Sequence, residues 1–455
     1  MVMKRLLTLV LISCLLLAMA ACGGQATQPT TGTTAATTTQ ATTKAPVATE
    51  IVFWDMVWGP ADTYPAAAEE LVKQFNDTND QGITVKYQST PWDNFYQTFL
   101  TAVTSGAAPD VSTGAFPQPV QYAIMEEILD LTPVLDMWEA EGNAILQDYS
   151  PGALDLHRWD NKQVGLPWNS DPRQITYRKD YFEQAGITSD PKNWDEFMAA
   201  CEKLKEKLPE DVYPLAFAAA DQMMTQNMLF FMFQNDCGIT NADGNASDFT
   251  NVKVGETLKF LNELYVKGYI PEGTVSYKGS DAEKLYLSGK AAMYLAGPMT
   301  LKDYPDIDSN SGILSPMAGP SGKAQNFTWL NAIMAYEQTD SPASCHVFIK
   351  WWLENQLPLW TKGLQGSFPA RLSFLKDPFF QSNWVKREIG EKVMPTAVPP
   401  VYPATFLYPA FSQIEGENYP GKALQGAISS QTPDYDALTA EWNEKIADAM
   451  KEFAD

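Results

Sequence analysis

Ile51-Val-Phe-Trp54, Ala66-Ala-Ala-Glu-Glu-Leu-Val-Lys-Gln-Phe75 and Ile83-Thr-Val-Lys-Tyr87 follow one another near the start of the polar, globular part of the chain. The first is a continuous apolar run of strand length. The second, with Ala68, Leu71, Val72 and Phe75 at 3.6-residue spacing, is the buried stripe of a helix, and the third alternates as a strand with Ile83, Val85 and Tyr87 on one face. A strand, a helix and a strand in that order predict parallel pairing with helices laid on the sheet, which is the α/β class.

Outward from this opening the helical signals continue. Asn193 before Trp194, with Glu196 three residues on, resembles a capping box, and Phe197, Cys201, Leu204 and Leu208 form the stripe behind it. Ser341-Pro342 begins another helix burying Phe348, Ile349 and Trp352. Val254, Leu258, Leu261 and Tyr265 make a third stripe, and Leu438, Trp442, Ile446 and Met450 a C-terminal one. The body from Glu50 to Asp455 is long enough, at about 400 residues, for two or three core-bearing units.

Ahead of that body, Lys4 and Arg5 precede an apolar run from Leu6 to Ala21 that ends at Cys22, the pattern of a signal peptide over residues 1–21. Ala20 and Ala21 before Cys22 resemble the bacterial lipobox, although Met19 stands where that motif usually has Leu; the resemblance implies that Cys22 is lipidated. Residues 22–49 are rich in Thr, Ala, Gln and Gly and carry no apolar periodicity, so they are expected to form a disordered tether.

Loss of residues 1–21 removes Lys4 and Arg5 and no acid, taking the formal charge from −23 to −25. So acidic a surface repels phosphate backbones and anionic headgroups, which argues against nucleic acid as a partner and against a membrane contact other than the lipid. Cys201, Cys237 and Cys345 are too few and too scattered for a disulfide framework, and one pair among them is still able to bridge. With His157 and His346 the only histidines, no spacing suggests a metal site, and neither a metal nor another cofactor is expected.

Four further stretches carry a resemblance: Ser105-Gly-Ala-Ala-Pro-Asp-Val111; Ile175 to Gly186 with Trp194-Asp-Glu-Phe197; Leu287-Ser-Gly-Lys-Ala-Ala-Met-Tyr294; and Gly366-Ser-Phe-Pro-Ala-Arg371. In this order and spacing, behind a lipobox, they resemble the sugar-binding branch of the extracellular solute-binding proteins of bacterial ABC importers, the group that includes maltose-binding protein. The resemblance implies a two-lobed periplasmic-binding-protein-like fold with several interlobe crossovers and a central cleft. Lobe one is then expected at 50–168 and 299–338 and lobe two at 172–295 and 342–455, with hinges near Trp168–Asp171, Ala296–Pro298 and Thr339–Ser341. It further implies a monomer that captures a carbohydrate between the lobes, performs no catalysis, and delivers its cargo to permease subunits while anchored by lipid on the outer face of the cell membrane.

A sugar offers hydroxyl edges and apolar C–H faces, so its site needs hydrogen-bonding side chains beside flat aromatic surfaces. Asp55 and Trp58 follow the first strand and Trp92 the second, where a parallel sheet presents its loops. Asp171 and Arg173 lie at the first expected hinge; the family places a ligand-contacting carboxylate at the position of Asp171, while Arg173 is either a contact or the brace of Asp171. Asp221, Gln222 and Asn227 flank a helix start that matches a ligand-facing loop of the family. Met299 stands where relatives often have a stacking Trp, which shifts that role to Trp329, and Arg371 closes the fourth stretch. A secreted glycoside hydrolase would also combine carboxylates with aromatic subsites, and a surface glycan-capture lipoprotein would share every one of these features. If Cys22 carries the only membrane signal, Cys22→Ser should move the protein from the membrane fraction to the medium or the soluble periplasm. Continued sedimentation of that variant with membranes contradicts the anchor.

Overall fold

Ile51 and Phe53 are wholly buried in β1 (Thr49–Met56), which pairs in parallel with both β2 (Ile83–Thr90) and β3 (Val111–Gly114). The computed structural model describes residues 49–453 apart from 151, 300 and 302; the leader, Cys22 and the tether up to residue 48 lie outside the described residues. A hairpin of β4 (Arg158–Trp159) and β5 (Lys162–Gln163) leads into β6 (Leu166–Pro172). A second sheet, in the order β10-β7-β9-β8, is built from β7 (Gln174–Arg178), β8 (Tyr213–Ala216), β9 (Ala291–Ala296) and β10 (Ser311–Ile313). The chain then returns to the first sheet as β11 (Asn326–Ala335), β12 (Phe368–Pro369) and β13 (Ala397–Val398), giving β12-β6-β11-β3-β1-β2 with β13 beside the start of β11.

Each sheet heads one lobe of a two-lobed α/β fold, as expected. In lobe one the helix Tyr64–Thr78 turns Leu71, Val72 and Phe75 inward against the sheet. In lobe two the helices Met223–Gln234, Val252–Val266, Tyr419–Ile428 and Tyr435–Lys451 pack on one another. The helix Trp194–Lys207 starts where its cap residue predicts: Asn193 Oδ1 accepts the Glu196 N–H at 2.9 Å. The returning carboxylate of Glu196 takes the Lys192 N–H, one residue earlier than a full capping box requires.

The expected lobe boundaries need correction. Residues 342–393 cover lobe one, not lobe two: Phe53 meets Phe348 at 5.1 Å and Trp352 at 4.9 Å, and Phe348 also meets Phe75 at 5.2 Å. Residues 301–313 belong to lobe two, because Leu301 and Ile307 pack with Tyr286 and Tyr294 and β10 pairs with β7. The chain therefore crosses at Pro172–Gln174, between β10 and β11, and after β13. Of the three expected hinges only the first lies beside a crossing. Thr339 sits inside lobe one, donating its hydroxyl to Asp110 at 2.5 Å. An apolar stripe announces that a helix face is buried but not which sheet it covers, which is why the motif order misplaced these segments.

Cys201, Cys237 and Cys345 are all free and buried, so no pair bridges. His157 is wholly buried against Phe116, and burial pushes its imidazole down to about 4. His346 bonds through Nε2 to the Asp130 carbonyl at 2.9 Å. Among the described residues no cluster of three or more His, Cys, Asp or Glu is arranged to hold a metal, and no helix is long and apolar enough to cross a membrane.

Trp352 has no exposed surface and forms part of the aromatic seam that assigns its helix to lobe one. Trp352→Ala is expected to cost about 3–5 kcal/mol, read from a lowered chemical-denaturation midpoint. A loss under about 1 kcal/mol would mean that this seam is not part of the lobe-one core.

Candidate ligand-binding cleft

Between the lobes lies a cavity of about 470 Å³, walled by side chains from both. Its lobe-one wall is aromatic. Trp58 and Trp92 emerge just beyond the carboxyl ends of β1 and β2, where the sequence pattern puts them, and their rings meet edge to face at 4.8 Å. Each indole is pinned through its N–H: Trp58 Nε1 donates to Thr113 Oγ1 at 3.0 Å and Trp92 Nε1 to the Val57 carbonyl at 2.7 Å. Trp168 buttresses Trp58 from behind at 5.2 Å. Trp329, on β11, also faces the cavity; it is 6% exposed, and its Nε1 is buried without a protein partner.

Asp55 does not reach the cavity. Its side chain is fully buried beneath the aromatic wall, where it accepts from Thr113 Oγ1 at 2.6 Å and from the Tyr64 hydroxyl at 3.1 Å. A strand alternates its faces, and this position points inward while the loop that follows delivers Trp58 to the cleft. Thr113 links the two, donating to Asp55 while accepting from both Trp58 Nε1 and the Met56 N–H at 3.0 Å. Asp55 is thereby a positioning residue for the Trp58 indole. Burial lifts its carboxyl to about 7, against the hydrogen bonds from Thr113 and Tyr64 that pull it down.

At the first crossing Asp171 and Arg173 both line the cavity, and they pair with each other: Arg173 Nη1 lies 2.9 Å from Asp171 Oδ2. Arg173 Nε donates to Gln226 Oε1 at 2.7 Å, which fastens the crossing to a lobe-two helix. Gly297 makes room for this pair; a Cβ there would stand 3.0 Å from Arg173 Nη1 and 3.3 Å from Asp171 Oδ1. Close by, the buried ammonium of Lys386 donates to the carbonyls of Gln365, Gly366 and Ser367, clamping a loop whose Gly366 and Ser367 form part of the cavity rim. Desolvation brings this lysine down to about 7, opposed by the charge of Asp171.

The lobe-two wall is polar. Gln222 lies on it as expected, at the start of the helix Met223–Gln234, but Asn227 does not: its Nδ2 donates inward to the Ala218 carbonyl at 2.6 Å. Gln226 faces the cleft instead, since a one-residue step turns a helical side chain by about 100°. Asp221 is also absorbed into structure, accepting the N–H groups of Met223 at 2.9 Å and Gly279 at 2.8 Å and so tying two helix starts together. Arg371 lies away from the cavity, bound to Asp148 at 3.0 Å and the Leu353 carbonyl at 3.2 Å, with its guanidinium 4.5 Å from the Phe374 ring centroid.

Sequence reasoning did not find Glu283, Tyr294, Asn331 or Glu415, all of which line the cavity. Two had a signal: Tyr294 closes the third motif stretch, and Asn331 shares a strand face with Trp329 two residues earlier. Glu415 has no hydrogen-bonding side chain beside it, and burial raises its carboxyl to about 7; Glu283 is raised by burial as well. The cleft thus sets indole faces on one lobe against amides and unpaired carboxylates on the other.

The sequence profile of the bacterial extracellular solute-binding proteins matches residues 59–356. This chain belongs to that family. A Brucella abortus relative named as a binding protein is 28% identical over 279 residues, covering 60% of this chain and 64% of the relative, so the match spans less than two thirds of the relative's length. A crystal structure of an Arthrobacter chlorophenolicus sugar transporter with bound laminaribiose superposes with a TM-score of 0.77 at 26% identity, covering 87% of this chain and 98% of that one. The Xanthomonas citri sugar-binding protein MalE shares the fold, with a TM-score of 0.73 at 21% identity over 89% of this chain and 98% of its own. Both lobes of this chain supply the walls of the cavity.

The Asp55 carboxyl yields a pH test. Its folded value, about 7, lies above the ordinary 3.8, so the folded state holds the proton more tightly. Stability from this group is full below about 4 and is lost as pH rises through 7. Asp55→Asn, which cannot ionise, should therefore melt higher relative to wild type at pH 8 than at pH 5, as calorimetry would record. A difference independent of pH would show that Asp55 does not titrate in this range.

Proposed function

We propose that this chain is the lipid-anchored, extracellular substrate-binding subunit of an ABC importer and that its cargo is a carbohydrate of more than one unit. The observation that carries this is the composition of the cleft: the pinned faces of Trp58 and Trp92 and the indole of Trp329, with Asp171 and Asn331 beside it, face Gln222, Gln226, Glu283 and Glu415. Pyranose rings present flat C–H faces to aromatic surfaces and hydroxyls to amides and carboxylates, so one molecule satisfies both walls. The similarity to the laminaribiose-bound transporter supports the same class of ligand.

Capture follows from the two walls. A ligand that contacts both lobes is bound completely only when they are together, and its binding energy shifts the population toward that arrangement. Permease subunits then read the joined lobes. No step of this sequence breaks a covalent bond, and the saccharide is expected to be recovered intact after incubation.

A thermal-shift screen against laminari- and malto-oligosaccharides of two to five units tests the reading directly. A saccharide at 100 times its dissociation constant stabilises the fold by about 2.7 kcal/mol. Failure of every carbohydrate to shift the melt, with glycerol phosphate or amino acids succeeding, removes sugar as the cargo. In the same assay Asp171→Ala should weaken the best saccharide about tenfold to a few hundredfold, because a charge-assisted hydrogen bond is lost and polar partners are stranded. Because Asp171 also pairs with Arg173, the variant is expected to lose ligand-free stability in either case; unchanged affinity would mean that Asp171 serves only as that brace.

A further inference from the structure

We infer that the cleft has a second compartment, which takes the further units of an oligosaccharide whose first units occupy the main cavity; this rests on the carbohydrate reading above. A cavity of about 350 Å³ adjoins the first and shares Met299 and Gly366 with it as common wall. It too lies between the lobes. Leu301 and Asp308 come from lobe two, and the stretch from Phe379 to Lys386 from lobe one. Both volumes fall within the range of small-ligand sites.

The chemistry of the second compartment repeats that of the first. Phe379 and Trp384 supply aromatic surface. Trp384 is pinned as Trp58 is, its Nε1 donating to Asp308 Oδ1 at 2.7 Å across the lobes. Gln365, another lining residue, is 1% exposed and donates from Nε2 to Ser367 Oγ at 2.6 Å, which holds the loop at this wall. Between the compartments, the Lys386 ammonium clamps the Gly366 carbonyl and holds the shared rim. Met299 lines both compartments as well.

Titration calorimetry with laminaribiose, laminaritetraose, maltose and maltotetraose decides the matter. In the linkage that binds, the tetrasaccharide should bind about tenfold tighter than the disaccharide, a gain of about 1.4 kcal/mol. Ser382 is exposed on the compartment's rim, so Ser382→Trp fills the space with little risk to the fold. That variant should bring the tetrasaccharide back to about the disaccharide's affinity and leave the disaccharide itself unchanged. Phe379→Ala should reduce the length gain by severalfold without touching disaccharide binding. Equal affinity for the two lengths in wild type, or a gain that survives Ser382→Trp, overturns the second compartment while the carbohydrate reading stands. Failure of all four saccharides to bind overturns both.

Discussion

β6 and β11 run antiparallel through the junction of the lobes, in a register that sets Asp171 opposite Trp329 and Asn169 opposite Asn331. Side chains pin that register: Asn331 Nδ2 donates to Asn169 Oδ1 at 2.9 Å, the hydroxyls of Ser170 and Thr328 lie 2.7 Å apart, and Asn331 Oδ1 accepts the Phe116 N–H at 3.0 Å. A slip of β6 by one residue against β11 would turn Asp171 to the face of the sheet away from Trp329. The pairing therefore fixes a carboxylate and an indole side by side on the cleft floor. It also aims the chain, since β6 ends at the first crossing and β11 begins at the second.

Rigidity of the aromatic wall has a polar origin. A tryptophan on a loop would ordinarily sample several rotamers, and ordering it on ligand binding would consume part of the affinity. Here Trp58 is held by Thr113, which is in turn oriented by a carboxyl beneath it, and Trp92 is held by a backbone carbonyl. Burying Asp55 is the cost of that arrangement, and it is visible in the upward displacement of its carboxyl. A site residue and a residue that fixes a site can thus be neighbours in sequence and lie on opposite sides of the wall.

The first strand, helix and strand were legible because each shows one clean periodicity, and the parallel sheet followed from their order. The four motif stretches carried the two-lobed architecture, and the first crossing lay beside the hinge expected from them. Assignment of helices to lobes was not legible: Phe348 and Trp352 announce a buried face, but only three-dimensional packing pairs them with Phe53 rather than with the second sheet. Within the cleft, Trp58, Trp92, Asp171, Arg173, Gln222 and Trp329 line the cavity, whereas Asp55, Asp221, Asn227 and Arg371 have been turned to structural hydrogen bonds. Polarity near a motif does not tell a free acceptor from one the backbone has already claimed. Glu415 was invisible for the opposite reason, as it lies on a short C-terminal helix that no motif touches.

Arg173 shows how the crossing couples the lobes. Its N–H donates to the Phe327 carbonyl of β11 at 3.0 Å, in lobe one, while its guanidinium reaches Gln226 of lobe two and Asp171 of β6. The side chain is nearly buried, so its charge is matched by Asp171 in a partly desolvated setting, where removing one partner costs far more than the pair contributes. Rotation of the lobes about Pro172–Gln174 would have to carry Gln226 along with Arg173 or exchange that bond for one to water. Under the proposed function, a saccharide bound beside the pair would change the balance, because its hydroxyls would compete for Asp171 while its bulk would exclude the water that would replace Gln226. Since a ligand shifts a conformational equilibrium only by its differential affinity for the two states, contacts made at this crossing weigh more than equal contacts to one lobe alone.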